Sequence, residues 1–315
     1  MYRTYANEIL PVSLLSPRRQ QWDACLRVIG DHTGPVNSVT FSPNGRWIAS
    51  ASPDKTVRMF DAVSGTTLIM MRGHTIGVYS VAVSPGNLFA ASTFVEAMLH
   101  IWDPITGECL QSAIVGKHTS ASSVAYSPDG ARIVTASNDG LIRTWDAHTL
   151  DPKATFTGHT DAVRSAVFFP DGAKFASGSK DKTIRIWDAT SAQCMQTLEG
   201  HTDEVNSVAI SSKGDLIASA SDDCSIHLWD AQSGATLAIL RGHSGEVWSV
   251  GFSPKGDRLA SGSIDGTVRV WDLQAIAKQS NSQLMGHADE VVAVGFSHDG
   301  AQLATGARDG SIIIW

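Results

Sequence analysis

Two anchors recur along this chain in fixed order. One is a histidine, in a Gly-His-Thr run or a close variant of it: His32, His74, His118, His159, His201, His243 and His287. The other is an aromatic residue, usually in a Trp-Asp pair: Phe60, Trp102, Trp145, Trp187, Trp229, Trp271 and Trp315. Successive aromatics stand 42 to 44 residues apart. A fixed period of this size signifies copies of one supersecondary unit, stacked because a single copy cannot bury its apolar faces alone. Seven units occupy nearly everything after residue 24.

Inside a unit the strands are legible. In the fifth, Val205–Ser211 alternates, Asp215–Ser221 is apolar and small, and Ser225–Asp230 is β-branched and aromatic. Segments of this length and pattern read as strands. Turn signals separate them: Ser-Pro-Asn-Gly at 42–45, Ser-Pro-Asp-Gly at 127–130 and Phe-Pro-Asp-Gly at 169–172 after the first, Ser-Asn-Asp-Gly at 137–140 and Ser-Ile-Asp-Gly at 263–266 after the second. A fourth strand precedes each histidine, as in Cys194–His201. No useful helical period appears.

A histidine, a hydroxyl and an aspartate in one unit invite a hydrolase reading. The hydroxyl recurs ten residues before the aromatic, at Ser50, Thr135, Ser177, Ser219, Ser261 and Thr305. The aspartate recurs six before it, at Asp54, Asp139, Asp181, Asp223, Asp265 and Asp309. An enzyme needs one such site, whereas a repeated scaffold needs the same polar clamp in every copy. The trio therefore reads as packing, and an enzyme is not expected.

Gly158–Asp188, GHTDAVRSAVFFPDGAKFASGSKDKTIRIWD, resembles the WD40 repeat, and the resemblance extends over about nine-tenths of the chain. It implies an all-β fold, a seven-bladed β-propeller of four-stranded antiparallel blades. Residues 1–24 are then an N-terminal extension and 25–315 one propeller domain. Cys25–His32 aligns with Cys194–His201 as a fourth strand lacking its first three, and the last unit stops at its third strand. The expectation is a ring closed by residues 25–29 pairing with the strand that ends at Trp315, which removes an open edge. The resemblance also implies a hydrogen-bonded relay in each blade: His159, Ser177, Asp181 and Trp187 in the fourth; His201, Ser219, Asp223 and Trp229 in the fifth; His243, Ser261, Asp265 and Trp271 in the sixth. Phe60 has no N–H to donate. In the second unit Ala91 and Glu96 replace the hydroxyl and the aspartate, so blade two is expected to be the least stable, or its turn around Phe94–Ala97 to be a modified binding surface.

The net charge of −7 and the lack of a basic stripe argue against nucleic acid. No window approaches the length of a membrane span. The four cysteines form no Cys-x-x-Cys pair, and no His-x-His or His-x-x-x-His pair occurs, so no metal or cofactor is expected. A cytoplasmic monomer is the simplest reading. In WD40 propellers the residue opening each first strand faces the usual partner-binding side: here Asn37, Tyr79, Arg164, Asn206, Trp248 and Val292. Glu204, Glu246 and Glu290 lie two residues before it, and Lys180, Asp222 and Arg308 precede the turn aspartates. Blades five to seven thus form an acidic sector with one exposed tryptophan, suited to a peptide or protein partner carrying basic residues. The alternative is a ligand-sensing domain of a larger fungal NACHT-type signalling protein, because the segment Trp22–Val39 looks similar to the entry into the repeat arrays of those nucleotide-binding transducers.

Overall fold

The structure is a computed structural model that describes residues 25–86, 90–94, 98–116, 119–274 and 281–315, with 90–94 as backbone alone. These residues form 28 strands, β1 to β28 in chain order, arranged as seven four-stranded sheets. Blade four shows the plan: β14 (Val163–Phe168), β15 (Lys174–Ser179), β16 (Ile184–Asp188) and β17 (Cys194–Leu198) pair antiparallel in that order.

Six sheets are built in this way from four consecutive strands. The seventh is composite: β26 (Val291–Phe296), β27 (Leu303–Ala307) and β28 (Ile312–Ile314) take β1 (Arg27–Ile29) as their outer strand. Arg27 lies opposite Ile314 and Ile29 opposite Ile312. The expected count of seven blades is corrected in this respect: six blades are complete in consecutive chain, and the seventh sheet is assembled from two distant segments. The innermost strands pack side by side around a closed circuit, from β2 (Ser38–Phe41) through β6 (Val78–Val83), β10 (Ala121–Tyr126), β14, β18 (Val205–Ile210), β22 (Val247–Phe252) and β26 back to β2.

The sequence pattern explains the layering. Outside blade two, the second strand of each blade is covered on both faces, so it is written in small and apolar residues; β15 is buried from Phe175 to Ser179. A Cβ at Gly178 would stand 2.7 Å from Val205 Cγ1, so the missing side chain lets the next blade approach. The seams between sheets are the core. Val134, Ile142 and Phe156 of blade three meet Val163, Phe175 and Trp187 of blade four in one buried cluster. Outermost strands have no further blade to cover them, and they leave Leu26, Val28, Leu110, Met195 and Leu237 about half or more exposed.

The turn between second and third strands demands a left-handed residue. Glycine supplies it at Gly140, Gly266 and Gly310, whereas Lys55, Lys182 and Cys224 adopt φ of 72°, 71° and 64° at the equivalent places.

Candidate functional site

The relay groups meet within each blade rather than in one cleft. In blade four His159 Nδ1 lies 2.7 Å from Asp181 Oδ2 and Nε2 lies 2.7 Å from Ser177 Oγ. An ionised aspartate only accepts, so Nδ1 carries the proton and Nε2 accepts from the serine hydroxyl. Trp187 Nε1 then donates to the same Oγ at 2.8 Å. Blades five and six repeat this geometry, with Trp229 donating to Ser219 at 2.8 Å and Trp271 to Ser261 at 2.9 Å. Burial works against the ionised carboxylates of Asp181 and Asp223. Bonds from the histidine and from Thr183 or Ser225 outweigh it and hold both well below the usual carboxylate range. Asp265, held in the same way by Thr267, the Ser244 amide and His243, falls to about 2. Ser177, Ser219 and Ser261 are 0% exposed, and an indole N–H caps each oxygen, so no substrate carbonyl reaches them.

The other blades vary the clamp. In blade one His32 bonds Asp54 and Ser50, and Phe60 packs edge-on to the imidazole without a bond. Thr135 and Thr305 serve for serine, accepting from Trp145 at 3.0 Å and Trp315 at 2.9 Å. In the composite sheet Ser311 bonds His287 Nδ1 at 2.8 Å, while Asp309 stands back at 3.8 Å. In blade two His74 packs against the rings of His100 and Trp102. The expectations for the N-terminal extension at 1–24, His118, Glu96, the side chain of Ala91 and the turn at 95–97 lie outside the described residues.

Away from these clamps, Asn37, Tyr79, Arg164, Asn206, Trp248 and Val292 line one cavity of about 320 Å³ at a mouth of the ring, joined by Ser120, Ala121, Ser122 and Asn138 of blade three. The backbone explains why. In six sheets the pairing of the innermost strand shifts at one residue, and the residue left over is Tyr79, Ser122, Arg164, Asn206, Trp248 or Val292. Each is the extra residue of a β-bulge, a device that bends the strand and re-aims a side chain. Bulges therefore turn these side chains toward a common centre. Sequence reasoning missed Ser122 because the loop from His118 is one residue shorter than in blade four, which hides the alignment.

The rim is more neutralised than its composition suggests. Glu204 accepts from Lys180 at 2.8 Å and lies 3.7 Å from Arg164, and Arg308 pairs with Glu290 at 2.8 Å. Trp248 is half-buried: its indole N–H donates to Glu246 at 3.0 Å and the Arg308 guanidinium covers its ring at 5.3 Å. Tyr79, 47% exposed, is the more open aromatic. Asn206 bonds Asp222, whose carboxyl is pushed up by burial and then by the negative charges of Glu246, Glu204 and Asp203. The sector's unbalanced negative charge thus concentrates at Asp222 and Glu246, on the seam of blades five and six.

One further recurrence went unread in the sequence. The residue after the bulge, or at the matching place in blade one, is serine in most units, and its Oγ accepts the amide of the next blade's innermost strand. Ser38 takes Val81, Ser80 takes Val124, Ser165 takes Val208, Ser207 takes Val250 and Ser249 takes Val294, at 3.1 to 3.4 Å. These bonds link neighbouring blades directly behind the cavity wall. The composite sheet carries Ala293 there.

The family model for the WDR3 first beta-propeller domain matches residues 89–273, and that for the WD domain, G-beta repeat, matches 23–61, 65–103 and 278–315. Similar proteins include the WD repeat domain-containing protein 83 homolog of Dictyostelium discoideum, 22% identical over 40% of this chain and 38% of its own length. Nuclear distribution protein PAC1 of Arthroderma benhamiae is 31% identical over 42% of this chain and 31% of its own. The Notchless protein homolog of Arabidopsis thaliana is 38% identical over 44% and 30%. The matched stretch spans less than half the length of each relative.

Proposed function

This chain belongs to the WD-repeat β-propeller family, and we propose that it is a non-catalytic scaffold that receives a peptide segment of a protein partner at the bulge-lined mouth. The observation that carries the reading is the convergence of Asn37, Tyr79, Arg164, Asn206 and Trp248, drawn from five blades, on one cavity. Aromatic and arginine side chains are the residues that most often dominate binding energy at protein interfaces. A volume of about 320 Å³ accommodates a side chain or two rather than a folded domain, so the cavity takes an anchor residue and the rim takes its flanks.

Charge narrows the partner. Among the described residues, Asp222 and Glu246 have no cation like those that balance Glu204 and Glu290, so a basic flank beside the anchor gains most at the blade five–six seam. Opposite charges across an interface set register and encounter rate more than raw affinity. The segment is therefore expected to bind faster at low salt.

Affinity capture from the native host with the unaltered chain, and with Trp248→Ala combined with Glu246→Lys, tests this. Loss of specific partners in the double variant, with unchanged circular dichroism, is expected. Retention of every partner overturns the assignment of this mouth.

A further inference from the structure

The third strand of a unit carries arginine two residues before the aromatic anchor at Arg58, Arg143, Arg185 and Arg269. In two blades the guanidinium there stands by the relay aspartate: Arg143 Nη2 lies 2.8 Å from Asp139, and Arg58 Nη2 lies 4.0 Å from Asp54. Blade five replaces it with His227. The imidazole is only 3% exposed and stacks on His201, with ring centroids 3.9 Å apart and planes at 30°. Its Nδ1 is buried and has no hydrogen-bond partner among the described residues. Leaving a buried imidazole nitrogen unsatisfied is unfavourable, so this position calls for a reason.

Donor atoms of His201, Asp223 and His227 all lie within 4.8 Å of one another. We propose that blade five holds a divalent transition-metal site with these three residues as its protein ligands and Zn²⁺ as the ion that suits it best. Two imidazoles and a carboxylate form a borderline-soft donor set typical of zinc, with a fourth position left for water. The ion places positive charge where blades one and three place a guanidinium. His227 Nδ1 has no hydrogen bond to break among the described residues, so bringing it to the roughly 2.0–2.1 Å that Zn–N bonds require gives up only part of the ring's packing on His201 and Trp229.

His201 must present Nδ1 to the ion, so its proton moves to Nε2; no proton is gained or lost overall. Nε2–H then donates to Ser219 Oγ, giving the ligand the second-shell partner that zinc-bound histidines generally have. The serine hydroxyl must turn to another acceptor. Such an acceptor is available in the sheet: Thr135 and Thr305, at the same position in other sheets, reach the carbonyls opposite them, Arg143 O at 3.5 Å and Ile313 O at 3.4 Å. In blade five the residue opposite Ser219 is His227 itself. Metal binding thus reverses one link of the clamp without dismantling it. The sequence hid this site because His201 lies more than twenty residues before Asp223 and His227, and no His-x-His spacing announces them.

The test is calorimetric titration of ZnCl₂ into chelator-treated protein whose thiols have been alkylated, with Co²⁺ absorption as a second readout. One saturable site per chain is expected. His227→Arg, which installs the residue carried by blades one, three, four and six, should keep the fold and weaken binding at least tenfold. Asp223→Asn should do the same, and His148→Ala, at an exposed turn histidine, should leave it unchanged. No saturable binding, or binding equal in the unaltered chain and His227→Arg, overturns the proposal.

Discussion

Ser177→Ala in blade four removes one oxygen that serves two buried partners: Trp187 Nε1 at 2.8 Å and His159 Nε2 at 2.7 Å. Both lose their only partner at that atom, in a site where the serine was 0% exposed and no replacement is at hand. Each unsatisfied buried group costs about 1–3 kcal/mol, so the substitution should cost roughly 2–5 kcal/mol. Ser50→Ala in blade one is the control, because Phe60 offers no N–H and the hydroxyl serves His32 alone at 2.6 Å. Its cost should be about 1–3 kcal/mol, leaving a difference of about 1–3 kcal/mol for the indole bond. Ser177→Thr should fall close to the unaltered protein, since Thr135 and Thr305 hold Trp145 and Trp315 in the same way. Guanidinium chloride midpoints at constant m-value measure all three variants. Equal shifts for Ser177→Ala and Ser50→Ala, or a threonine variant as damaged as the alanine one, refute the clamp.

Other expectations are independent of this one. Tyr126 Oη is buried without a partner among the described residues and burial pushes the phenol up, so Tyr126→Phe should be neutral or stabilise by about 1 kcal/mol, read as a higher denaturant midpoint. Cys224→Gly should stabilise by about 1 kcal/mol, read as a higher midpoint, because φ of 64° burdens a side chain and not glycine. Burial, then the neighbouring His201, lowers His227 to about 4; the fold binds that proton less readily than the unfolded chain. Stability from this source is full above about pH 6.5 and is lost as pH falls toward 4, by about 2 kcal/mol once solvent screening is allowed for. His227→Arg should flatten the midpoint-against-pH curve in that window. The relay aspartates, whose pKa values are depressed, take over only below about pH 4, where their protonation removes stability.

The repeat period, the strand order within a unit and the clamp residues were legible because each is written several times, so a pattern survives local variation. The six residues opening the first strands were legible for the same reason. Their convergence was not, because it depends on a bulge whose extra residue shows only when two strands are paired. Charge was the least legible part of the site. Glu204 and Glu290 look acidic in the chain, yet Lys180 and Arg308 stand 2.8 Å away across a loop. Trp248 looked exposed because nothing in its own strand covers it; Arg308 of the next sheet does. His227 stands where other units carry arginine, and its meeting with His201 shows only once the loop before the first strand folds over the stretch from Asp223 to His227.

Hydrogen–deuterium exchange on the complex with a captured partner is the most direct test of where this propeller binds. Protection should appear in peptides spanning 78–80, 163–165, 205–207 and 247–249, the bulges that line the cavity, and be absent from the opposite mouth around Pro43, Pro85 and Pro128. Protection confined to that opposite mouth, or to the outermost strands, would contradict the assignment.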